Sequence, residues 1–126
     1  REIKSRSTET TFDSDVTDIE QLVAVTRRMS GSLGDGLRQA GSTARTIAIK
    51  VRLDDWTTVT RARTLPDGVA DDETIAATAE ALLREYAPAL PFRLIGVRVA
   101  ALLGAGQAAA GVEPKPVGAA QLTLPV

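Results

Sequence analysis

The side chains with chemistry to offer in this sequence are guanidinium groups and hydroxyls. Arg45, Lys50, Arg52, Arg61, Arg63, Arg93 and Arg98 fall in three stretches of alternating character that hold no acid. Ser5, Ser7, Thr8, Thr46, Thr58 and Thr60 crowd the same stretches and one before them. Cationic groups bind phosphate oxygens through charge-assisted hydrogen bonds, and hydroxyls and backbone N–H groups beside them add neutral ones. Gathered on one surface, such a set would hold a polyanion.

Most catalytic chemistry is excluded. The chain has no histidine and no cysteine, which removes disulfides, thiolate nucleophiles, the usual zinc ligands and every triad that needs imidazole. Asp54-Asp55 and Asp71-Asp72 are the adjacent acids on which a two-metal phosphoryl-transfer site would draw. Neighbours on a turn or a helix start point apart, however, so turn and capping roles are expected of them. The glycine-rich run from Gly104 to Gly111 follows a strand and imitates a dinucleotide-binding turn, but the fifteen residues after it leave no room for the helix and parallel strand of that motif. No catalytic residue, metal site or cofactor is therefore expected in this chain.

The elements that must carry the cations can be read from periodicity. With 126 residues, 44% of them hydrophobic, 25% charged and a net charge of −1, one compact core is expected. A β-branched, alternating stretch over residues 6–12 predicts a first strand. Val16, Ile19, Leu22, Val23, Thr26, Met29 and Leu33 recur at helical steps; Thr17 and Glu20 suit a capping box, and the glycines predict fraying between Gly31 and Gly41. Residues 45–53 form a half-buried strand with Ile47, Ile49, Val51 and Leu53 on one side. Asp54-Asp55 turns it into a partner over residues 56–65, which Pro66-Asp67-Gly68 should stop. Asp71 or Asp72 caps a second helix bearing Ile75, Ala79, Leu82 and Tyr86, and residues 92–103 form a fourth strand.

The order is βαββαβ, an α+β chain of the ferredoxin-like, split-βαβ kind: a four-stranded antiparallel sheet with two helices on one face. Right-handed crossovers predict the first and third strands in the middle and the second and fourth at the edges. Since acids concentrate at residues 13–20 and along the second helix, the expected molecule is a cationic sheet backed by acidic helices. Alternation also puts Arg61 and Arg63 on the same side as Val59, which leaves open which face of the third strand is wet. Base stacking of the RNA-recognition kind is not expected, because Phe12, Trp56, Tyr86 and Phe92 are the only aromatics and stacking needs Phe or Tyr in the middle strands. The expected contact is phosphate backbone, blind to sequence and dependent on salt.

Residues 1–103 are thus expected to form the domain and residues 104–120 a Gly/Ala/Pro linker. Residues 121–126, Gln-Leu-Thr-Leu-Pro-Val, would form an apolar hook. No apolar run reaches membrane-spanning length and the first twelve residues are polar, so a cytoplasmic setting without membrane contact is expected. A start at Arg1 without methionine reads as part of something larger.

Three separated segments carry a resemblance: Lys4-Ser5 with the Thr-rich strand to Phe12, Thr58-Val59-Thr60-Arg61-Ala62-Arg63-Thr64-Leu65-Pro66, and Arg93-Leu94-Ile95-Gly96-Val97-Arg98-Val99. Together they resemble the little-finger, or polymerase-associated, domain of Y-family translesion DNA polymerases. The resemblance implies a sheet lying against duplex primer-template DNA near the primer terminus. DNA contacts would then fall on Lys4, Ser5, Arg6, Ser7, Thr8, Thr60, Arg61, Arg63, Arg93 and Arg98, with Arg45, Lys50 and Arg52 joining them on grounds of charge. Arg6-Ser7 replaces the Ile-Gly or Val-Gly of many relatives, and Leu94 stands where relatives can carry a second basic residue. Gln121, Leu122, Leu124, Pro125 and Val126 look like the sliding-clamp-binding motif of bacterial members, with Pro125 in place of the usual aromatic. The implied partners are duplex DNA, the bacterial sliding clamp and the catalytic core of a parent polymerase, whose palm and its Mg²⁺-binding carboxylates are not in this chain. The alternative is a regulatory or oligomerising ferredoxin-like module that pairs through its open sheet. The seven basic strand residues argue against it, since such modules bury apolar sheets.

Overall fold

The computed structural model describes residues 5–86 and 91–104. Lys4, most of the expected linker and the expected clamp-binding residues 121–126 lie outside the described residues. Six elements follow in order: β1 (Ser5–Val16), α1 (Ile19–Gln39), β2 (Ser42–Leu53), β3 (Thr58–Val69), α2 (Asp72–Tyr86) and β4 (Phe92–Gly104). All strand pairs are antiparallel, and α1 packs over β1 and β4 while α2 packs over β2 and β3. The α+β architecture is the expected one.

The strand order is not. It runs β1-β4-β2-β3, so β2 and β4 are central and β1 and β3 are the edges. Composition explains the correction. Ala44, Ile47, Ala48, Ile49, Val51 and Leu53 are buried on β2, and Phe92, Leu94, Ile95, Val97 and Val99 on β4. The polar strands β1 and β3 bury only Val16, and a strand with water on one flank is the place for them. Edge position also explains why β3 continues through Pro66-Asp67-Gly68 instead of stopping there. A proline lacks a ladder donor but costs little where no strand lies beyond, and a register shift between Ala44 and Thr46 absorbs the irregularity. At the opposite edge β1 outruns its expected end by four residues, to Val16, where a shift after Thr11 reaches Phe92.

Asp18, not Thr17, caps α1: its carboxylate accepts the Glu20 N–H at 3.0 Å. Leu22, Val23, Val25, Thr26, Met29, Leu33 and Leu37 are buried along one stripe, the face that the spacing predicted. The helix runs unbroken past Gly31, Gly34 and Gly36 to Gln39 and closes at Gly41 in the left-handed region (φ 67°). Gly34 is there for space. A Cβ at that position would collide with Asp72 Oδ1 at the head of α2 and would crowd Arg38 Nη1 and the Ala70 carbonyl oxygen at 3.1 Å.

The two acid pairs do serve turn and cap. Asp55 Oδ1 accepts the Thr57 N–H at 3.0 Å inside the β2–β3 turn. Asp71 Oδ2 accepts both the Thr74 N–H at 2.8 Å and the Thr74 hydroxyl at 2.7 Å at the start of α2. Those bonds, the hydroxyl first, hold the Asp71 carboxyl below its ordinary range. Removing this cap through Asp71→Ala is expected to cost about 1 kcal/mol at neutral pH. Because the folded state depresses this pKa, the contribution is complete above the unfolded carboxylate value of about 4 and disappears as pH falls through the folded one. Thermal melts should therefore show a variant deficit at neutral pH that closes toward acid. A deficit independent of pH would mean that the carboxylate is not the cap.

The helix layer is less acidic in effect than its composition suggests. Arg27 bonds Glu80 at 2.8 Å and Glu73 at 3.2 Å, Arg84 bridges Glu20 and Glu80, and Arg38 reaches Asp72 at 2.8 Å. The outer helix face is a lattice of exposed, solvent-screened ion pairs rather than a bare anionic surface.

Candidate nucleic-acid interface

Register decides which cations share a face, because residues paired across antiparallel strands point to the same side. Four rows cross the side of the sheet away from the helices. They are Ser5, Ala100, Thr46, Thr64; Ser7, Arg98, Ala48, Ala62; Glu9, Gly96, Lys50, Thr60; and Thr11, Leu94, Arg52, Thr58. Arg98, Lys50 and Arg52 thus stand on the bare face, on adjacent rows of the two central strands. Seven hydroxyls surround them.

Each cation there has a distinct setting. Arg98 is exposed and has no acidic partner among the described residues. Arg52 donates from Nε to Thr58 Oγ1 at 3.1 Å, and its guanidinium lies 5.8 Å from the ring centre of Trp56. Lys50 meets Glu9 Oε1 at 3.3 Å. Trp56 occupies the β2–β3 turn with φ 71° and 70% of its surface in water, the one exposed large apolar side chain among the described residues.

Arg61, Arg63, Arg6 and Thr8 are not on this face. Arg61 and Arg63 pair with Ile49 and Ile47, whose side chains are buried toward the helices, so they lie on the helix side. Arg63 Nη2 donates to both carboxylate oxygens of Glu85 at 2.9 Å, and Arg61 sits 5.1 Å from the Tyr86 ring centre. Arg61, Leu82, Glu85 and Tyr86 line a shallow hollow there. Arg6 and Thr8 also turn to the helix side, in register with Val99 and Val97. Arg6 Nε is buried without a partner, beside Gly36. Arg93 is tied to Asp15 at 3.2 Å, and Arg45 donates to the Leu65 carbonyl at 3.0 Å, fastening β2 to β3. Of the seven cations expected on one plate, register puts Lys50, Arg52 and Arg98 on the bare face and Arg61 and Arg63 on the helix side, while Arg45 and Arg93 fall at register shifts.

Sequence reading missed Glu9, Thr11 and Thr64 on the bare face. Alternation from Ser5 and Ser7 reaches the first two. Thr64 follows only from the pairing of β3 with β2, and Val59 was the signal that Arg61 and Arg63 face inward.

The arrangement is a bare hydroxyl- and cation-bearing sheet face opposite two helices. The model of the impB/mucB/samB family C-terminal domain matches residues 3–123, and the chain belongs to that family, the little-finger domain of Y-family DNA polymerases. It is 40% identical over 101 residues to DNA polymerase IV of Methanoculleus marisnigri, covering 80% of this chain and 28% of that protein. It is 34% identical over 102 residues to DNA polymerase IV 1 of Mesorhizobium japonicum, covering 81% and 23%. The chain thus spans less than a third of the length of these relatives. Among solved structures, a Y-family DNA polymerase chimera of Dbh and Dpo4 superposes with TM-score 0.70 at 16% identity, over 82% of this chain and 30% of that one. The little finger domain of PolIV, solved in a complex with the beta-clamp processivity factor, gives TM-score 0.62 at 17% identity over 89% and 92%.

The Mg²⁺ implied for an intact polymerase has no evident holder among the described residues, where no three acidic side chains converge and the adjacent aspartates are engaged in turn and cap. No helix of the described residues is long and apolar enough to cross a membrane.

Proposed function

We propose that this domain grips the backbone of duplex primer-template DNA through the bare face of its sheet, as the accessory domain of a translesion DNA polymerase acting in the cytoplasm. The observation that carries the reading is the placement of Lys50, Arg52 and Arg98 among hydroxyls on the one sheet face that the helices leave open. The mechanism is positional. Arginine and lysine neutralise phosphates on the two central strands, Ser5, Ser7, Thr11, Thr46, Thr58, Thr60 and Thr64 supply neutral hydrogen bonds around them, and no side chain there is arranged to read base edges. Held in this way, the primer terminus stays near the catalytic core of the parent enzyme, which would supply the Mg²⁺ chemistry.

Duplex binding, followed by anisotropy of a labelled oligonucleotide and by emission of Trp56, the only tryptophan, should be independent of sequence and weaken steadily with salt. Each phosphate neutralised adds about 0.9 to the slope of log affinity against log salt. Binding without salt dependence would overturn the reading, and a native mass showing a dimer closed through the sheet would favour the oligomerising module instead.

The second part of the proposal concerns the terminal segment. Gln121, Leu122, Leu124, Pro125 and Val126 form the clamp-binding hook, in which the glutamine hydrogen-bonds in a small pocket and the leucines fill an apolar groove. A linker tether would then raise the effective concentration of the polymerase at the clamp. The solved little finger of PolIV with its clamp supports this reading. Deleting residues 121–126 is expected to abolish clamp binding in a pull-down and to leave duplex affinity intact. Retained clamp affinity would shift the contact to the folded domain.

A further inference from the structure

Glu9 is the only acid on the four rows of the bare face. It stands in the middle of them, on the row of Gly96 and Lys50. Glycine at position 96 is what lets it reach across. A Cβ there would come within 3.1 Å of Glu9 Cβ and 3.3 Å of the Thr8 carbonyl oxygen. Without that side chain the carboxylate extends over β4 and meets Lys50 Nζ at 3.3 Å. Both side chains remain open to solvent, at 51% for Glu9 and 42% for Lys50, so an incoming anion can compete for the same ammonium group.

We infer that Glu9 is an internal phosphate mimic: it occupies Lys50 while DNA is absent and must be displaced or repelled when a backbone phosphate arrives. The inference rests on the reading of the bare face as the duplex contact. Its logic is electrostatic. An exposed ion pair contributes little to stability, so the pairing is cheap to break, but a like charge at the centre of a phosphate-binding surface opposes every approach of the backbone. The domain therefore holds duplex less tightly than its cations allow. A grip of that kind suits a domain that must let DNA slide and leave.

The test uses the 126-residue chain and a labelled duplex across a salt series. When phosphate displaces Glu9 from Lys50, the freed carboxylate takes up a cation as the DNA releases one, so the wild-type slope stays at about −1.8 from Arg52 and Arg98, and Glu9→Gln should steepen it to about −2.7. Glu9→Gln should also bind more tightly at low salt, with its advantage shrinking about threefold between about 50 and about 200 mM salt. Adding Lys50→Met to Glu9→Gln should return the slope to about −1.8. A merely structural role for Glu9 would lower the melting temperature and leave the slope where it was. Equal slopes in wild type and Glu9→Gln, or weaker binding by the variant, would overturn the inference while leaving the duplex reading in place. A wild-type chain with no salt-dependent duplex affinity would overturn both.

Discussion

Neutralising Arg52 and Arg98 together, as Arg52→Gln/Arg98→Gln, is expected to abolish salt-dependent binding of duplex DNA. The two guanidinium groups sit on β2 and β4 on the bare face and are the cations there without an acidic partner among the described residues. With both gone, the slope of log affinity against log salt should fall from about −1.8 to near zero. The wild-type domain should lose roughly tenfold in affinity between about 50 and about 200 mM salt, and the double variant should lose almost none. The matched control is Arg61→Gln/Arg63→Gln. Those side chains lie on the other side of the sheet, over Tyr86 and against Glu85, so their removal should leave both affinity and slope close to wild type. Should the control pair produce the larger loss, DNA would have to meet the helix-side edge of β3, and the bare face would lose its assigned role.

The largest stability effect is expected behind that face. Ile49 is 1% exposed and belongs to the layer of Ile47, Val51, Val97 and Val99 on which the helices rest. Truncation to alanine removes three carbons from a packed interior and leaves a cavity, at a cost of about 2 to 5 kcal/mol. A domain of this size has only about 5 to 15 kcal/mol in hand. Urea denaturation should therefore show a midpoint lowered by one or more molar at unchanged slope, given typical m-values of about 1 to 3 kcal/mol per molar. Thr60→Ala, on the exposed side of the same sheet, should shift it hardly at all. A small effect of Ile49→Ala would contradict the placement of β2 at the centre.

How much of this was readable in the residues depends on the kind of question. Period-2 and period-3.6 patterns located all six elements, because burial of one face imposes those periods locally. Helix ends also carry local signals: the glycine window around Gly31 to Gly41 contains the true end, and Asp71 is indeed the cap. Strand order is not local. It depends on which strands are apolar on both faces, and Leu94 and Ala48, buried on the outer side at 6% each, mark β4 and β2 as central more plainly than any crossover rule.

The allocation of cations failed for a related reason. Counting charge per strand treats a strand as one object, whereas its two faces meet different surroundings. Val59, in register with buried Val51, already tied Arg61 and Arg63 to the inner side. Only pairing across the sheet turned that hint into a placement. Glu9 escaped notice because its meaning lies in the gap at Gly96, a feature of three strands at once.

The position of β4 has a consequence for synthesis. Among the described strands, β4 comes last along the chain, yet it is the neighbour of β1 and separates β1 from β2. Until it arrives, the nascent chain can zip the β2–β3 hairpin and form nascent helices, but β1 has nothing to pair with and the apolar inner layer stays uncovered on one flank. Contacts so distant along the chain are slow to close. The domain must therefore mature in one late step, and any translation product that stops short of Phe92 should be a substrate for proteases rather than a smaller working module.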